Sequence, residues 1–105
     1  MNLKNLEEKI LNIDSSNLNE SDIKAIEETV ASLDKGQIRV AEESNGEWII
    51  NEWVREAVLL FFSIRNLKEI ESGDLLFYDK LEPKKNYEEL KIRVVPPGVV
   101  RYGAF

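Results

Sequence analysis

Six consecutive apolar residues, Ala57-Val58-Leu59-Leu60-Phe61-Phe62, restrict what this chain can fold into more than any other feature. In a helix they cover every side, and a helix without a polar face runs through the middle of a core. The flanking residues suit a helix. Asn51 can cap it and Glu52 complements the positive end of its dipole, while Trp53, Ala57, Leu60, Phe61 and Ile64 repeat at helical spacing. The fold must therefore be assembled around this segment.

Two amphipathic stretches upstream can pack on it. Leu3, Leu6, Ile10 and Ile13 form one apolar stripe on a helix of about three turns. Asp14-Ser15-Ser16-Asn17 ends it, because such side chains bond to their own backbone. A second helix is predicted to start near Asn19 or Ser21, with Glu20 and Asp22 close to its positive end. Its stripe is Ile23, Ile26, Val30 and Leu33, and Gly36 supplies the left-handed residue that follows a helix.

From 37 to 50 the period becomes two. Ile38-Arg39-Val40, the turn dipeptide Asn45-Gly46 and Trp48-Ile49-Ile50 predict a short hairpin, too small to stand by itself and therefore packed on the helices. From Asn66 to Leu90 the pattern is irregular. Gly73, the run Leu75-Leu76-Phe77-Tyr78 and the charged stretch Asp79 to Glu89 predict loops with one short strand at most. Pro96-Pro97-Gly98 then forbids a helix and sets a bend between two β-prone runs. The expected fold is mainly α (α+β). Residues 1–66 would form a three-helix domain with a hairpin near 37–50, and 67–105 an irregular, extended connector. A β-like run closing on the apolar Phe105 also asks for something further to pack against, which predicts a fragment of a longer protein.

Composition narrows the chemistry. None of the 105 residues is Cys or His. That excludes disulfides, thiolate or imidazole metal sites, and Ser-His, Cys-His or His-base mechanisms. Apolar runs fall short of the roughly 20 residues of a membrane span, and the first eight residues lack the core of a signal peptide. A soluble, cytoplasmic protein without a membrane partner is expected. A net charge of −6 and a pI near 4.7 argue against nucleic acid. The glycines at 36, 46, 73, 98 and 103 form neither a dinucleotide fingerprint nor a phosphate loop, so no bound cofactor is expected.

The charge is unevenly placed. Residues 1–52 hold 5 basic and 12 acidic groups, whereas Lys91 to Phe105 contains Lys91, Arg93 and Arg101 and no acid. Solvated acidic faces and a buried strand with a few outward cations account for this, and so would a tail that binds an anion. Adjacent carboxylates at Glu7-Glu8, Glu27-Glu28, Glu42-Glu43 and Glu88-Glu89 point about 100° apart on a helix and make poor acid–base dyads. Trp48 and Trp53 could stack a planar ligand, but core anchors are the commoner use. Tyr78 beside Asp79 reads as a packed ring next to a turn acid rather than a proton relay. Arg93 stands out, because arginine grips carboxylates with two parallel hydrogen bonds and this one precedes a rigid diproline bend. A salt bridge to a local glutamate explains it equally well.

Several segments resemble the N-terminal region of the bacterial tetrahydrodipicolinate N-succinyltransferases. They are Leu33-Asp34-Lys35-Gly36-Gln37-Ile38-Arg39-Val40-Ala41-Glu42, Gly46-Glu47-Trp48, Trp53 to Phe62, Tyr78-Asp79-Lys80, and Arg93 to Phe105. Residues 1–32 match only as two helices of suitable length. The resemblance implies a small helical domain leading into a left-handed parallel β-helix of hexapeptide repeats that this chain does not contain. It also implies a homotrimer with active sites between subunits, and transfer of a succinyl group from succinyl-CoA to the amino group of a ring-opened dicarboxylate in the lysine and diaminopimelate pathway. Arg93 maps onto a substrate-binding arginine of the family. The family's catalytic aspartate and coenzyme A tunnel belong to the absent part, so no catalytic residue and no succinyl-CoA site is expected in this chain. A stand-alone, non-catalytic interaction module derived from the same domain is the alternative.

Overall fold

The computed structural model describes residues 2–104. Phe105, on which the apolar close of the sequence falls, lies outside the described residues.

The first helix, α1 (Leu3–Leu11), begins at Asn2, whose side chain accepts from the Asn5 N–H at 2.9 Å. Asn12 ends it by donating backbone and side-chain N–H groups back to the Glu8 carbonyl at 3.2 and 2.8 Å. The helix thus stops before Ile13, and Leu6 and Ile10 carry its burial while Leu3 faces outward. In α2 (Glu20–Asp34) a reciprocal capping box satisfies two free donors. The Asn19 side chain accepts from Asp22 N at 2.9 Å, and the Asp22 carboxylate accepts from Asn19 N at 3.1 Å. Lys9 reaches Asp22 at 3.0 Å and ties the two helices together. At the other end Gly36 adopts a φ of 76° and turns the chain away.

β1 (Ala41–Ser44) and β2 (Glu47–Ile50) form an antiparallel hairpin pairing Ala41 with Ile50 and Ser44 with Glu47. Asn45 and Gly46 both have positive φ, as a primed two-residue turn requires. Both strands are exposed along their whole length, contrary to the expectation that they pack on the helices. Trp48 is 71% exposed and is no core anchor. The hairpin is held at its root instead, where Asn51 donates its backbone N–H to Val40 O and its side-chain amide to Arg39 O, both at 2.7 Å. That second bond orients the side chain expected to cap the next helix toward the hairpin, and α3 (Glu52–Ile64) starts without a side-chain cap.

Along α3, Val54, Ala57, Leu60 and Phe61 are buried, and Trp53 bridges two apolar clusters. One cluster joins Leu6 and Ile10 to Ala25, Ile26, Val30, Leu60, Phe61 and Leu81. The other is Leu33, Ile38 and Val54. α3 is central as expected, but it is not covered all round. Only α1 and α2 pack on it among the described elements, and Leu59 on its far side is 54% exposed. Leu60 belongs to the cluster that joins the three helices. Leu60→Ala is expected to cost about 2–5 kcal/mol, read as a lower urea midpoint at unchanged slope.

β3 (Lys68–Ser72) and β4 (Leu75–Asp79) make a second antiparallel hairpin, with Lys68 opposite Asp79 and Ser72 opposite Leu75. One strand at most was expected here. The Lys68-Glu69-Ile70-Glu71-Ser72 segment has little β-propensity, and pairing with the apolar β4 makes it a strand. Gly73, with φ 61°, occupies the first central position of the turn. α4 (Tyr87–Leu90) is a single turn between two left-handed residues, Asn86 and Lys91. The described residues thus form a small α+β domain with two separate two-stranded sheets.

Candidate functional site

Arg93 owes its position to α4 on one side and the diproline bend on the other. Ile92 N–H donates to Tyr87 O at 2.9 Å as the chain leaves α4. Ile92 and Val94 are half-buried, so the alternation turns Arg93 outward. Beyond it the Pro96–Pro97 peptide is cis, and Gly98 N–H donates to Val95 O at 2.8 Å. A Cβ on Gly98 would stand 2.8 Å from the Val95 carbonyl oxygen, so this close turn requires glycine. Among the described residues, Arg93 has no ion pair and no side-chain hydrogen bond. An outward, unengaged guanidinium can take a carboxylate with two hydrogen bonds.

Arg101, in the same acid-free stretch, is fully engaged. Its Nε and Nη2 donate to Asp79 Oδ2 and Oδ1 at 2.9 and 2.8 Å, and its guanidinium lies 5.1 Å from the Phe62 ring centroid. The Lys80 N–H also donates to Asp79 at 2.8 Å. That backbone donor first, and Arg101 second, hold the Asp79 carboxyl below its ordinary value of 3.8. The sign follows from linkage. A depressed folded-state pKa stabilises the fold above the unfolded value and is lost as pH falls through the folded one. Acidification from pH 5 to below 3.8 is therefore expected to loosen the attachment of residues 99–104 to β4, seen as faster amide exchange there after correction for the intrinsic pH effect. Arg101→Gln should weaken that pH dependence.

Two further charged groups escaped the sequence reading. The Lys84 side chain is 0% exposed; its ammonium lies 2.7 Å from Asp34 Oδ1 and 2.6 Å from the Asp34 carbonyl. The same Oδ1 accepts the Gly103 N–H at 2.8 Å. Gly103 has a φ of 95°, and a Cβ there would meet Val30 at 3.2 Å. No local pattern marks a lysine within a charged run for burial.

Where the tail returns to the helices an apolar cavity of about 550 Å³ remains, walled by Val30, Leu33, Val58, Phe61, Phe62 and Tyr102 with Arg39 and Arg101 at its polar side. Arg93 does not line it. Burial, with Asp34 and Glu82 adding, raises the Tyr102 hydroxyl above 10.0 and keeps it neutral at pH 7. The cavity offers apolar space without a poised base.

The other candidates scatter. Tyr78 is 68% exposed rather than packed, and strand alternation points it away from the Asp79 face. The pairs Glu7-Glu8, Glu42-Glu43 and Glu88-Glu89 are exposed. Among the described residues no cluster of three or more acidic side chains suits a metal ion, and no helix is long and apolar enough to cross a membrane.

Comparison with known proteins gives a consistent picture. A family described as tetrahydrodipicolinate N-succinyltransferase N-terminal matches residues 4–64. The 2,3,4,5-tetrahydropyridine-2,6-dicarboxylate N-succinyltransferase of Acinetobacter baylyi is 47% identical over 87 residues, covering 77% of this chain and 32% of that protein. Its counterpart in Acinetobacter baumannii is 48% identical over 87 residues with the same coverage. The chain thus spans 32% of the length of these curated relatives.

Proposed function

The chain belongs to the tetrahydrodipicolinate N-succinyltransferase family, and from that membership we propose that it is the N-terminal domain of an acyltransferase acting in lysine and diaminopimelate synthesis. In this reading residues 1–66 are the helical domain and 67–105 the connector into a left-handed β-helix. The whole enzyme works as a cytoplasmic homotrimer. Its donor is succinyl-CoA and its acceptor the amine of a dicarboxylate. In the transfer the amine nitrogen bonds to the thioester carbonyl carbon, the carbon–sulfur bond breaks, and coenzyme A leaves as the thiol.

The role of this chain in that reaction is to hold the acceptor. Arg93 binds one substrate carboxylate, so that the amine approaches the thioester from a fixed direction, which lowers the entropic part of the barrier. One observation carries the reading: Arg93, for which the resemblance implies a substrate-binding role, is exposed, flanked by half-buried Ile92 and Val94, and unengaged among the described residues. The test is coenzyme A release, followed by a thiol reagent, from a full-length protein carrying this domain. Release that requires both succinyl-CoA and tetrahydrodipicolinate is expected. Release that ignores the dicarboxylate contradicts the proposal.

A further inference from the structure

The Arg93 segment is fastened to the helical domain at both ends by one carboxylate. Asp34, the last residue of α2, receives the Lys84 ammonium and the Gly103 N–H on the same oxygen, at 2.7 and 2.8 Å. Lys84 lies before α4 and Gly103 lies after the diproline bend, with Arg93 close to the midpoint between them. The two ends also pair with each other. Lys84 N–H donates to Val100 O and Tyr102 N–H to Glu82 O, both at 2.8 Å. The stretch from 84 to 103 is a loop whose neck is closed against the end of a helix.

We infer that Asp34 and Lys84 are positioning residues for Arg93. The inference rests on the reading of Arg93 as a carboxylate-binding residue. Stability is a poor explanation for the pair, since apolar groups of similar volume usually stabilise a buried site as well or better than an ion pair. Geometry is a better one. A single oxygen that accepts from two donors far apart in sequence fixes the register of both ends of the loop, which an apolar contact does not. The lysine also stands at the negative end of the α2 dipole, bonded to the Asp34 carbonyl, so its charge is favoured in that one place. Fixing the neck limits how far Arg93 can swing, so less freedom is lost when it takes the carboxylate, and the dicarboxylate binds more tightly.

Two measurements test this. In the 105-residue chain, Asp34→Asn is expected to reduce hydrogen-exchange protection at the Lys84, Tyr102 and Gly103 amides by about tenfold or more. The Val30 and Leu60 amides should stay within about twofold. If Asp34→Asn loses protection throughout, Lys84→Met is read at the same amides, because its stem fills the same space and Asp34 is 19% exposed and can take water. Unchanged protection at the three amides, or general unfolding in both variants, overturns the inference. In the full-length protein, Asp34→Asn should raise KM for the dicarboxylate about tenfold and leave kcat and KM for succinyl-CoA within about twofold. Lys9→Met, which breaks the Lys9–Asp22 pair of the same helices, should move none of these. If Arg93→Ala raises KM for the dicarboxylate and Asp34→Asn does not, positioning by Asp34 is wrong while the Arg93 reading stands. If neither moves it, the Arg93 reading itself is wrong.

Discussion

Given succinyl-CoA and tetrahydrodipicolinate, the 105-residue chain is expected to release no coenzyme A above the uncatalysed rate. Acyl transfer to an amine needs a base for the nitrogen proton, worth about 10²–10⁴-fold, and donors for the developing oxyanion, worth about 10²–10³-fold for each one lost. The sequence holds no His and no Cys. The carboxylates held most firmly are already committed, Asp79 to Arg101 and Asp34 to Lys84 and Gly103. Of the adjacent glutamate pairs, Glu7-Glu8, Glu42-Glu43 and Glu88-Glu89 stand in solvent, without the burial that fits a carboxylate for base work. Thiol detection with the chain at high concentration is the check. Turnover comparable to that of a full-length enzyme would refute the division of labour proposed here.

Replacing Arg93 with alanine in a full-length protein is expected to lower kcat/KM for the dicarboxylate severely. Truncating one partner of a desolvated, hydrogen-bonded charge pair costs about 2–5 kcal/mol, and about 1.36 kcal/mol is a factor of ten. The loss should therefore be roughly thirtyfold or more, with saturation by succinyl-CoA nearly unchanged. Stability should scarcely move. Arg93 is exposed and has no ion pair among the described residues, so its removal falls among surface substitutions, usually within about 0.5 kcal/mol. Arg93→Lys should recover only part of the loss, because an ammonium lacks the planar two-donor fork. A matching fall in thermal midpoint and activity would instead mark Arg93 as a structural residue.

Much of the helical part was legible because local signals and periodicity agreed there. Leu6, Ile10, Ile26, Val30, Leu33, Ala57, Leu60 and Phe61 lie on the expected stripes and are buried. Gly36 and Asn45-Gly46 turn where their φ preferences said they should. Errors arose where a distant partner decides the outcome. Asn51 donates its side-chain amide to the Arg39 carbonyl across the hairpin root and does not accept from the first turn of α3, an orientation that composition does not reveal. Trp48 lies on a hairpin with both faces exposed, although its residue type favours burial. The polar β3 becomes a strand only through its neighbour. Of the site, Arg93 was visible as a cation between apolar residues before a rigid bend. The Asp34–Lys84–Gly103 node was invisible, since it joins positions far apart in the chain through one oxygen.

The central claim is that Arg93 contributes binding energy to a two-carboxylate acceptor. Calorimetric titration of tetrahydrodipicolinate into the full-length protein, without succinyl-CoA, tests it most directly. The account predicts saturable binding that Arg93→Ala weakens at least thirtyfold, at an unchanged affinity for coenzyme A. Equal dissociation constants for the two proteins would contradict it.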